Sequence, residues 1–373
     1  MSTESLSVLM TADAAGGVWT YSLDLARGLA EAGLRTTLAV LGAPPSVDQR
    51  AIAATVPGLA VVETGLPLDW TAETPDDVLR AGGQLAGLAE AVRADLVHLN
   101  SPAFAAGGDF DRPVLGVCHS CVATWWDAVR TGPLPPDLAW RADLVRRGYE
   151  ASNALVAPSA SFAAATAAAY GLAALPQVVF NGRLPASSSA SGQAGTGRPA
   201  ERAVFTAGRL WDDGKNVVVL DRAAARLSVP VLAAGPTRGP NGTEVSLRHA
   251  HPLGLVSDDV IAAQLTRQPV FVSAARYEPF GLAVLEAAQA GCPLVLSDIP
   301  TFRELWDGAA LFVPPDDDAY LADAIEGLLS NRRRADEFGR SARARSEVYR
   351  VDAMVAGTLA AYRSLRAGRA AAA

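Results

Sequence analysis

The sequence predicts an α/β protein built from two doubly wound parallel sheets. Short apolar runs alternate with segments of helical period along nearly the whole chain, which is typical of parallel strands connected by helices. A Ser-rich stretch at residues 184–200 interrupts this alternation, and a second series of strands and helices follows it. In both halves, polar and charged residues come directly after apolar runs, at the strand ends where open parallel sheets bind their ligands.

The first half begins with a predicted strand at Ser5–Met10 and a loop that contains Gly16 and Gly17. Val18–Ala32 is predicted as a helix because its apolar residues fall on one face and Gly33, a residue suited to end a helix, follows it. Further strands are predicted at Thr36–Leu41, Ala60–Glu63, Asp95–Asn100, Pro113–Cys118, Ala154–Pro158 and Gln177–Phe180. Helices are predicted at Asp77–Arg93, Pro136–Ala151 and Ser159–Tyr170.

The second half repeats the alternation of strands and helices. Its strands are predicted at Ala203–Ala207, Pro230–Ala234, Val270–Ser273, Leu294–Ser297 and Ala310–Val313. Its helices are predicted at Asn216–Arg226, Asp258–Arg267, Gly281–Ala290, Asp316–Ser330, Arg332–Tyr349 and about Asp352–Leu365. The chain has 373 residues, half of them apolar, so two domains of ordinary size can each bury a core. We predict domains at residues 1–183 and 202–349, a flexible linker at 184–201 and a C-terminal helical segment at 350–373.

The charge balance argues against a nucleic-acid partner. The chain carries 32 basic and 39 acidic residues, a net charge of −7. The first residues lack a basic segment, and no apolar run reaches the roughly 18 residues of a membrane span. We therefore expect no transmembrane segment and a cytoplasmic protein, or one that is peripheral at the inner membrane face. Three cysteines form no disulfide framework.

Two glutamates flank the start of one predicted helix in the second half. Glu278 lies in the loop before Gly281, and Glu286 lies about one turn into the helix. The free N–H groups and positive dipole end of a helix N-terminus suit a phosphate. Two carboxylates alone would repel phosphate. They are compatible with it if they bind hydroxyl groups on either side, as in a ribose and a sugar that flank a diphosphate.

Two cations share the loop after the first strand of the second half. Arg209 and Lys215, the only lysine of the chain, lie in Gly-Arg-Leu-Trp-Asp-Asp-Gly-Lys-Asn. A guanidinium fork and an ammonium point charge can together neutralise a diphosphate. A solvated loop with surface charges is the alternative. In the first half, Gly16 and Gly17 mark either a close approach of the backbone to a ligand or a tight turn that needs positive φ.

His119 and two tryptophans are the candidates in the first half. His119 follows a strand that ends at Cys118, where a histidine is either a structural residue or a site residue. Trp125 and Trp126 are either core residues or a surface on which the ring of a bound substrate can stack. We expect no metal site.

Two motifs are nevertheless of types that bind metals. Cys118 and Cys121 form C-x-x-C, but no second pair accompanies them for zinc. Asp109 and Asp111 form Asp-x-Asp, a spacing that can bind a divalent metal, but they lie in a loop after Gly107-Gly108 and nothing else of a fold that uses this motif is present.

Glu278 and Glu286 lie in one block, which reads Tyr-Glu-Pro-Phe-Gly-Leu and continues to the second glutamate. This block resembles the paired-glutamate motif of retaining glycosyltransferases of family four, which have the GT-B fold. The resemblance extends over most of the chain. It includes the Gly16-Gly17 loop, His119, the Arg209/Lys215 clamp, and Ser297-Asp-Ile-Pro-Thr-Phe-Arg-Glu304. One departure is Arg183-Leu184 after Asn181-Gly182, where the family usually has an apolar residue and Asp.

The resemblance implies two Rossmann-like domains facing a central cleft, with the last helix returning to the first domain. The first domain would bind the acceptor and the second a nucleotide-diphospho-sugar. It implies catalytic roles for Glu278, His119, Arg209 and Lys215. It also implies a donor site, in which Glu286 binds the ribose. The donor-site residues would be Gly16, Gly17, Arg209, Lys215, Glu278, Phe280, Gly281, Leu282 and Glu286. No cofactor is implied, since the nucleotide sugar is a substrate.

The acceptor implied is a small molecule, a glycan or a lipid-linked glycan, with Trp125 and Trp126 as its candidate contacts. Family members favour front-face attack, in which the leaving phosphate takes the proton of the acceptor. Two alternatives stay open at this point. One is an epimerase or hydrolase of the same fold that acts on a nucleotide sugar, and the other is a non-catalytic partner that binds one.

Overall fold

The computed structural model describes residues 6–185 and 203–372, which form two compact units. The first unit comprises the chain up to Gly182 together with the segment from Val351 onward, and the second comprises Arg183–Arg350. Most of the predicted linker, residues 186–201, lies outside the described residues.

The first unit contains a seven-stranded parallel sheet of order β3-β2-β1-β4-β5-β6-β7. Its strands are β1 (Ser7–Asp13), β2 (Arg35–Leu41), β3 (Leu59–Glu63), β4 (Leu96–Leu99), β5 (Val114–Val117), β6 (Ala154–Ala157) and β7 (Gln177–Val178). Its α-helices are α1 (Gly17–Glu31), α2 (Val47–Ala54), α3 (Pro75–Ala91), α4 (Val122–Val129), α5 (Pro136–Ala151), α6 (Ala160–Tyr170) and the C-terminal helix, numbered α13 (Val351–Ala372). A short 3₁₀ helix covers Pro102–Ala106.

The second unit contains a six-stranded parallel sheet of order β10-β9-β8-β11-β12-β13. Its strands are β8 (Val204–Ala207), β9 (Val231–Ala234), β10 (His251–Gly254), β11 (Val270–Ser273), β12 (Leu294–Ser297) and β13 (Ala310–Val313). Its α-helices are α7 (Val217–Ala224), α8 (Asp258–Leu265), α9 (Leu282–Gln289), α10 (Pro300–Trp306), α11 (Asp318–Ser330) and α12 (Arg332–Ser346). A 3₁₀ turn covers Asp213–Lys215.

In each sheet, the strands that follow the first one are added on one side of it, and the later strands are then added on its other side. The reversal lies between β1 and β4 in the first unit and between β8 and β11 in the second. Crossover loops on the two sides of such a point diverge, which opens a crevice at the carboxyl ends of the two strands. These two switch points are therefore where each sheet can hold a ligand, and the predicted site residues follow β1, β5, β8 and β11.

The C-terminal helix α13 completes the core of the first unit by packing against α1. Met354, Tyr362 and Leu365 of α13 are buried in one cluster with Leu25 and Leu29 of α1. The two helices approach closely at Gly28, where an added Cβ would lie 2.3 Å from a methyl carbon of Val355. A side chain at position 28 would therefore push the two helices apart.

The structure confirms the predicted fold class of two doubly wound parallel sheets, with the last helix packed on the first unit. It adds elements that the sequence pattern did not indicate, namely α2, α4, α10 and β10. It also shortens the helix predicted at Arg332–Tyr349, which ends at Ser346, and extends the last helix to Val351–Ala372. Among the residues described, no helix combines the length and the apolar character needed to cross a membrane.

Candidate functional site

The two loops at the switch point of the second sheet are joined to each other by hydrogen bonds. The backbone N–H of Arg276, after β11, donates to the carbonyl of Gly214, after β8, at 2.9 Å. The side-chain amide of Asn216 donates to the carbonyl of Ala274 at 3.0 Å. Because these bonds tie the β8 loop to the β11 loop, the charged side chains of both loops lie on one small surface.

Lys215 and Glu278 form an ion pair across these two loops. The Lys215 ammonium donates to the Glu278 carboxylate, and the side chains are only 23% and 13% exposed. Limited contact with water makes the pair stronger than an exposed surface pair. The structure therefore brings together a cation and a carboxylate that are 63 positions apart in the sequence.

Arg209 is anchored beside this pair within its own loop. Its Nη2 donates to Asp212 Oδ2 at 3.0 Å, and Asp212 Oδ1 accepts from the backbone N–H of Gly214 at 2.9 Å. In the described part of the chain, the Arg209 Nε is buried and has no hydrogen-bond partner. A buried donor without a partner is costly, so Arg209 retains a capacity to bind an oxygen acceptor.

Helix α9 begins at the same switch point without a side-chain cap. Gly281 occupies the N-cap with φ of 94°, a left-handed conformation that favours glycine, and its backbone leads directly into Leu282. The first N–H groups of the helix are therefore free of a side-chain acceptor, which suits an anion. The Phe280 ring is 3% exposed and packs edge-on against Tyr349 at 5.5 Å, so this side chain belongs to the core.

Glu286 lies on α9, as the sequence predicted, and is bound by an arginine that the site prediction did not include. Arg183 Nε donates to Glu286 Oε1 at 2.6 Å, and its Nη2 lies 3.6 Å from Asp258. The carbonyl of Arg183 accepts from the side chain of Gln289 at 2.8 Å. Both Arg183 and Glu286 are mostly buried, so the arginine fixes the orientation of the carboxylate. This is the arginine that departs from the family pattern.

In the first unit, Gly16 and Gly17 lie where β1 turns into α1. Gly16 is the N-cap residue, with extended φ and ψ of −166° and −157°, and Gly17 is the first helical residue. A turn that needs positive φ therefore does not explain Gly16. No side chain caps this helix and no acidic residue lies in its first turn. The α1 N-terminus thus has the same uncapped character as the α9 N-terminus.

His119 follows β5 and is held by Asn100 and Tyr21. Its Nε2 lies 2.9 Å from Asn100 Oδ1, and the ring packs edge-on against Tyr21 at 4.6 Å. Burial and then the neighbouring His98 lower the pKa of His119 to about 3. The side chain nevertheless keeps partial contact with solvent, so a small molecule can reach it. A neutral imidazole that is packed yet reachable is suited to hydrogen bonding more than to charge stabilisation.

Trp125 and Trp126 lie on α4, both partly buried, with ring centroids 6.5 Å apart. The Arg130 guanidinium lies over the Trp125 ring at 4.9 Å. The Trp126 indole N–H donates to the carbonyl of Gly132 at 3.0 Å. The two rings are thus already engaged, one by a cation and one by a backbone acceptor, and they do not form a bare stacking surface.

Asp69 and Arg141, which the sequence analysis did not identify as candidates, lie close to each other in the first unit, where Asp69 contacts the residue after Asn100. Burial raises the pKa of Asp69, which accepts a hydrogen bond from Ser101 directly after Asn100. Arg141 Nη2 donates to the carbonyl of Ala72 at 2.8 Å, while in the described residues its Nη1 is buried without a partner. Burial lowers the pKa of Arg141, and the nearby Asp69 raises it. The carboxylate of Asp69, in the loop after β3, and the guanidinium of Arg141, on α5, thus lie close together, and Arg141 Nη1 has unused hydrogen-bonding capacity in the described residues.

Cys118 and Cys121 are buried, and neither forms a disulfide in the described structure. Burial raises the pKa of the Cys118 thiol to about 12 and also raises that of Cys121. Thiols with raised pKa stay protonated and are poor nucleophiles and poor metal ligands. Cys121 Sγ lies 2.8 Å from Thr124 Oγ1, so this thiol takes part in the packing at the start of α4.

The sequence matches the family described as Glycosyltransferase Family 4 over residues 15–183 and the family described as Glycosyl transferases group 1 over residues 201–331. Among curated proteins, it is similar to the D-rhamnosyltransferase WbpZ of Pseudomonas aeruginosa, with 34% identity over 125 residues. That alignment covers 31% of this chain and 33% of the relative, so the chain spans about a third of the length of that relative.

Solved structures share the fold. Sucrose-phosphate synthase from Thermosynechococcus elongatus superimposes with a TM-score of 0.79 and 18% identity, covering 97% of this chain and all of that one. The HepE protein of Anabaena, solved in complex with UDP-glucose, gives a TM-score of 0.71 and 19% identity over 95% of this chain and all of its own. At these identities the likeness establishes the GT-B fold alone.

Proposed function

Because this chain belongs to the glycosyltransferases of family four, we propose that it is a retaining hexosyltransferase. It moves a sugar from a nucleotide-diphospho-sugar to an acceptor hydroxyl and requires no divalent metal. The observation that carries the proposal is the Lys215–Glu278 ion pair at the switch point of the second sheet, beside Arg209 and the uncapped start of α9. Cations, a carboxylate and free N–H groups at one crevice match a diphosphate joined to a sugar.

The donor binds to the second unit in this proposal. Arg209 and Lys215 neutralise the diphosphate, and the N–H groups that follow Gly281 donate to its oxygens. Glu286, oriented by Arg183, accepts hydrogen bonds from the ribose hydroxyls. Support for a nucleotide sugar comes from HepE, a structural neighbour that was solved with UDP-glucose. Lys215 must exchange some of its contact with Glu278 for phosphate oxygens, which leaves the carboxylate available to hydroxyl groups of the sugar.

The chemical step follows from this charge distribution. As the bond between the anomeric carbon and the phosphate oxygen breaks, its electron pair moves to the diphosphate, where Arg209 and Lys215 stabilise the developing charge. The acceptor oxygen bonds to the anomeric carbon on the face that the phosphate leaves, and its proton passes to the departing phosphate oxygen. Glu278 stabilises the positive character that develops on the sugar. Leaving-group stabilisation by two cations removes the need for a metal ion in this role.

The acceptor binds to the first unit in this proposal. Asp69 and Arg141 are the polar groups best suited to it, because a carboxylate accepts from a hydroxyl and the unused Arg141 Nη1 donates to one. Trp125 and Trp126, both partly buried on α4 of the same unit, remain candidate contacts of the acceptor. The acceptor is a small molecule, a glycan or a lipid-linked glycan. Asp69→Asn and Arg141→Gln should each raise the acceptor KM. Neither should change the donor KM by more than about threefold, or about 0.65 kcal/mol, because the donor binds to the second unit.

A donor panel tests the proposed function. Purified protein is incubated with UDP-, GDP- and ADP-linked glucose and mannose, with and without a mixture of sugar acceptors, and nucleoside diphosphate release is measured. Lys215→Met serves as the site variant. Arg222→Met is the matched control, since it also removes a cation from an ion pair of the second unit, Arg222–Asp318, which lies on the surface.

The proposal predicts acceptor-dependent release that Lys215→Met reduces and Arg222→Met preserves. Release that is independent of acceptor, with free sugar or its epimer as the only product, would instead indicate an epimerase or hydrolase. Tight donor binding without release under any condition would indicate a non-catalytic partner. Either result contradicts the proposed transfer.

A further inference from the structure

A buried polar network lies beneath His119 in the first unit. Its centre is Asn100, which is 8% exposed and follows β4. The Asn100 Nδ2 lies 2.6 Å from the carbonyl oxygen of Thr11 and 3.0 Å from Ser22 Oγ. The Asn100 Oδ1 lies 3.2 Å from His98 Nε2 and 2.9 Å from His119 Nε2. All four contacts of the amide are thus made to buried or partly buried groups of the same unit.

The hydrogen-bond donors in this network can be assigned by elimination. A backbone carbonyl oxygen only accepts, so the atom of Asn100 that faces Thr11 must be the amide nitrogen. The amide oxygen therefore faces both histidines. Because an amide oxygen also only accepts, the Nε2 of His98 and the Nε2 of His119 must each carry a proton. One asparagine thus determines the protonated nitrogen of two imidazoles.

The far end of the network agrees with this assignment. Burial lowers the pKa of His98 to about 4, so its imidazole is neutral and its Nδ1 is an acceptor. The Tyr362 hydroxyl lies 2.7 Å from that Nδ1, and burial raises the pKa of Tyr362 so that it keeps its proton to donate. Hydrogen bonds therefore run in one direction from the C-terminal helix through His98 to Asn100.

The consequence concerns His119. Its Nε2–H is used by Asn100, and among the described residues no hydrogen bond uses its Nδ1. The titratable rings set against this imidazole are Tyr21 from α1 and, across Asn100, His98 from β4. We propose that Asn100 is a positioning residue that locks His119 as the neutral Nε2–H tautomer. His119 then binds a hydroxyl group of the sugar substrate as a hydrogen-bond acceptor through Nδ1 and does not donate a proton in the reaction.

The tautomer can be measured without any substrate, by long-range ¹H–¹⁵N correlation of the imidazoles in the uniformly ¹⁵N-labelled full chain. The chain has four histidines, and the exposed His249 and His251 are identified by their substitution to Gln. We expect His98 and His119 to show the neutral Nε2–H pattern from pH 7 down to about pH 5. A charged imidazole or an Nδ1–H tautomer for His119 at pH 7 overturns the proposal.

Asn100→Asp provides a second arm. A carboxylate at this position stabilises a charged imidazole, so one of the two histidines should take up a second proton by about pH 6. Thr36→Val is the matched control, because Thr36 is buried in β2 and, in the described residues, its hydroxyl has no partner. The control should leave both tautomers unchanged. Should Asn100→Asp fail to fold, the wild-type measurement alone still decides the assignment.

A kinetic comparison tests the acceptor role and rests on the proposed function. The Asn side chain places its amide near the position of imidazole Nδ1, whereas the Gln side chain places it near Nε2. His119→Asn should therefore keep a kcat about tenfold higher than that of His119→Gln, with similar donor KM. Equal rates, or a faster Gln variant, contradict the acceptor role of Nδ1. If neither the wild type nor any variant transfers sugar while the tautomer is as expected, the proposed function fails and the tautomer assignment stands.

Discussion

Removing the Lys215 ammonium and the Glu278 charge should have opposite effects on nucleotide binding. In the absence of a donor the two groups neutralise each other in a setting that is largely protected from water. If Lys215 binds the diphosphate, Lys215→Met loses a charge-assisted hydrogen bond worth about 1.5–3 kcal/mol, which is about a ten- to 150-fold loss of affinity. It also leaves the Glu278 carboxylate unpaired near the phosphates, which adds repulsion.

Glu278→Gln removes a negative charge from the same surface and frees Lys215 from its partner. We therefore expect nucleoside diphosphate affinity to be equal to or higher than that of the wild type. In the double variant, Glu278→Gln should recover part of the affinity that Lys215→Met loses, since no unpaired carboxylate then remains. The pair is close enough to be coupled, so the two effects should not add.

Isothermal titration of the four proteins with UDP, GDP and ADP gives the complete cycle. Arg222→Met, which breaks the exposed Arg222–Asp318 pair, controls for the loss of one positive charge from the unit. If Lys215→Met binds every nucleoside diphosphate as tightly as the wild type does, Lys215 is not a ligand of the diphosphate. If Glu278→Gln weakens binding as much as Lys215→Met does, the Glu278 carboxylate is itself a nucleotide ligand, contrary to the expectation above.

Three further outcomes are expected. Glu286→Ala should raise the donor KM and weaken nucleoside diphosphate binding by about ten- to 150-fold. Glu278→Ala should instead lower kcat more than it weakens nucleotide binding. The reverse pattern in steady-state kinetics would mean that Glu278 contacts the ribose and Glu286 the transferred sugar. Transfer should persist in excess chelator, and loss that manganese or magnesium restores would contradict the Arg209/Lys215 clamp and direct attention to Asp109 and Asp111. Burial alone would raise the pKa of Asp221, but the backbone N–H groups of Ala250, His249 and Arg248 lower it. The stabilising contribution of this carboxylate is therefore present at neutral pH and lost as the pH falls below about 4. In urea unfolding, Asp221→Asn should be less stable than the wild type by about 1–3 kcal/mol at pH 7 and by less at pH 3, and an equal difference at both pH values would contradict this origin.

Most of the fold followed from the sequence because both sheets are parallel and their central strands are buried, so each of these strands is a short apolar run between more polar segments. The elements that escaped prediction have weak local signals. Strand β10 lies at the edge of its sheet and contains Pro252, a residue that argues against a strand. Helix α4 has no side-chain cap, so only its packing marks where it begins. Helix α10 could have been identified from Pro300 at its first position.

The candidate site was predictable where chemistry is local and unpredictable where it depends on distant partners. The sequence predicted Glu278 in the loop before α9 and Glu286 within the helix, and the structure has both there. The contact of Glu286 with Arg183 joins residues 103 positions apart, and that of His98 with Tyr362 joins residues 264 positions apart. No periodicity or spacing rule reports such pairs, since they depend on how the sheets order their strands.

The configuration of the transferred sugar distinguishes retaining from inverting transfer. With a donor and an acceptor identified from the panel, the one-bond carbon–proton coupling at the anomeric centre of the product reports its configuration by NMR. We expect the new glycosidic bond to keep the anomeric configuration of the donor, because the acceptor oxygen attacks from the face that the diphosphate leaves. A product of inverted configuration would rule out the proposed front-face attack, since inversion requires attack from the opposite face and a base that takes the proton there.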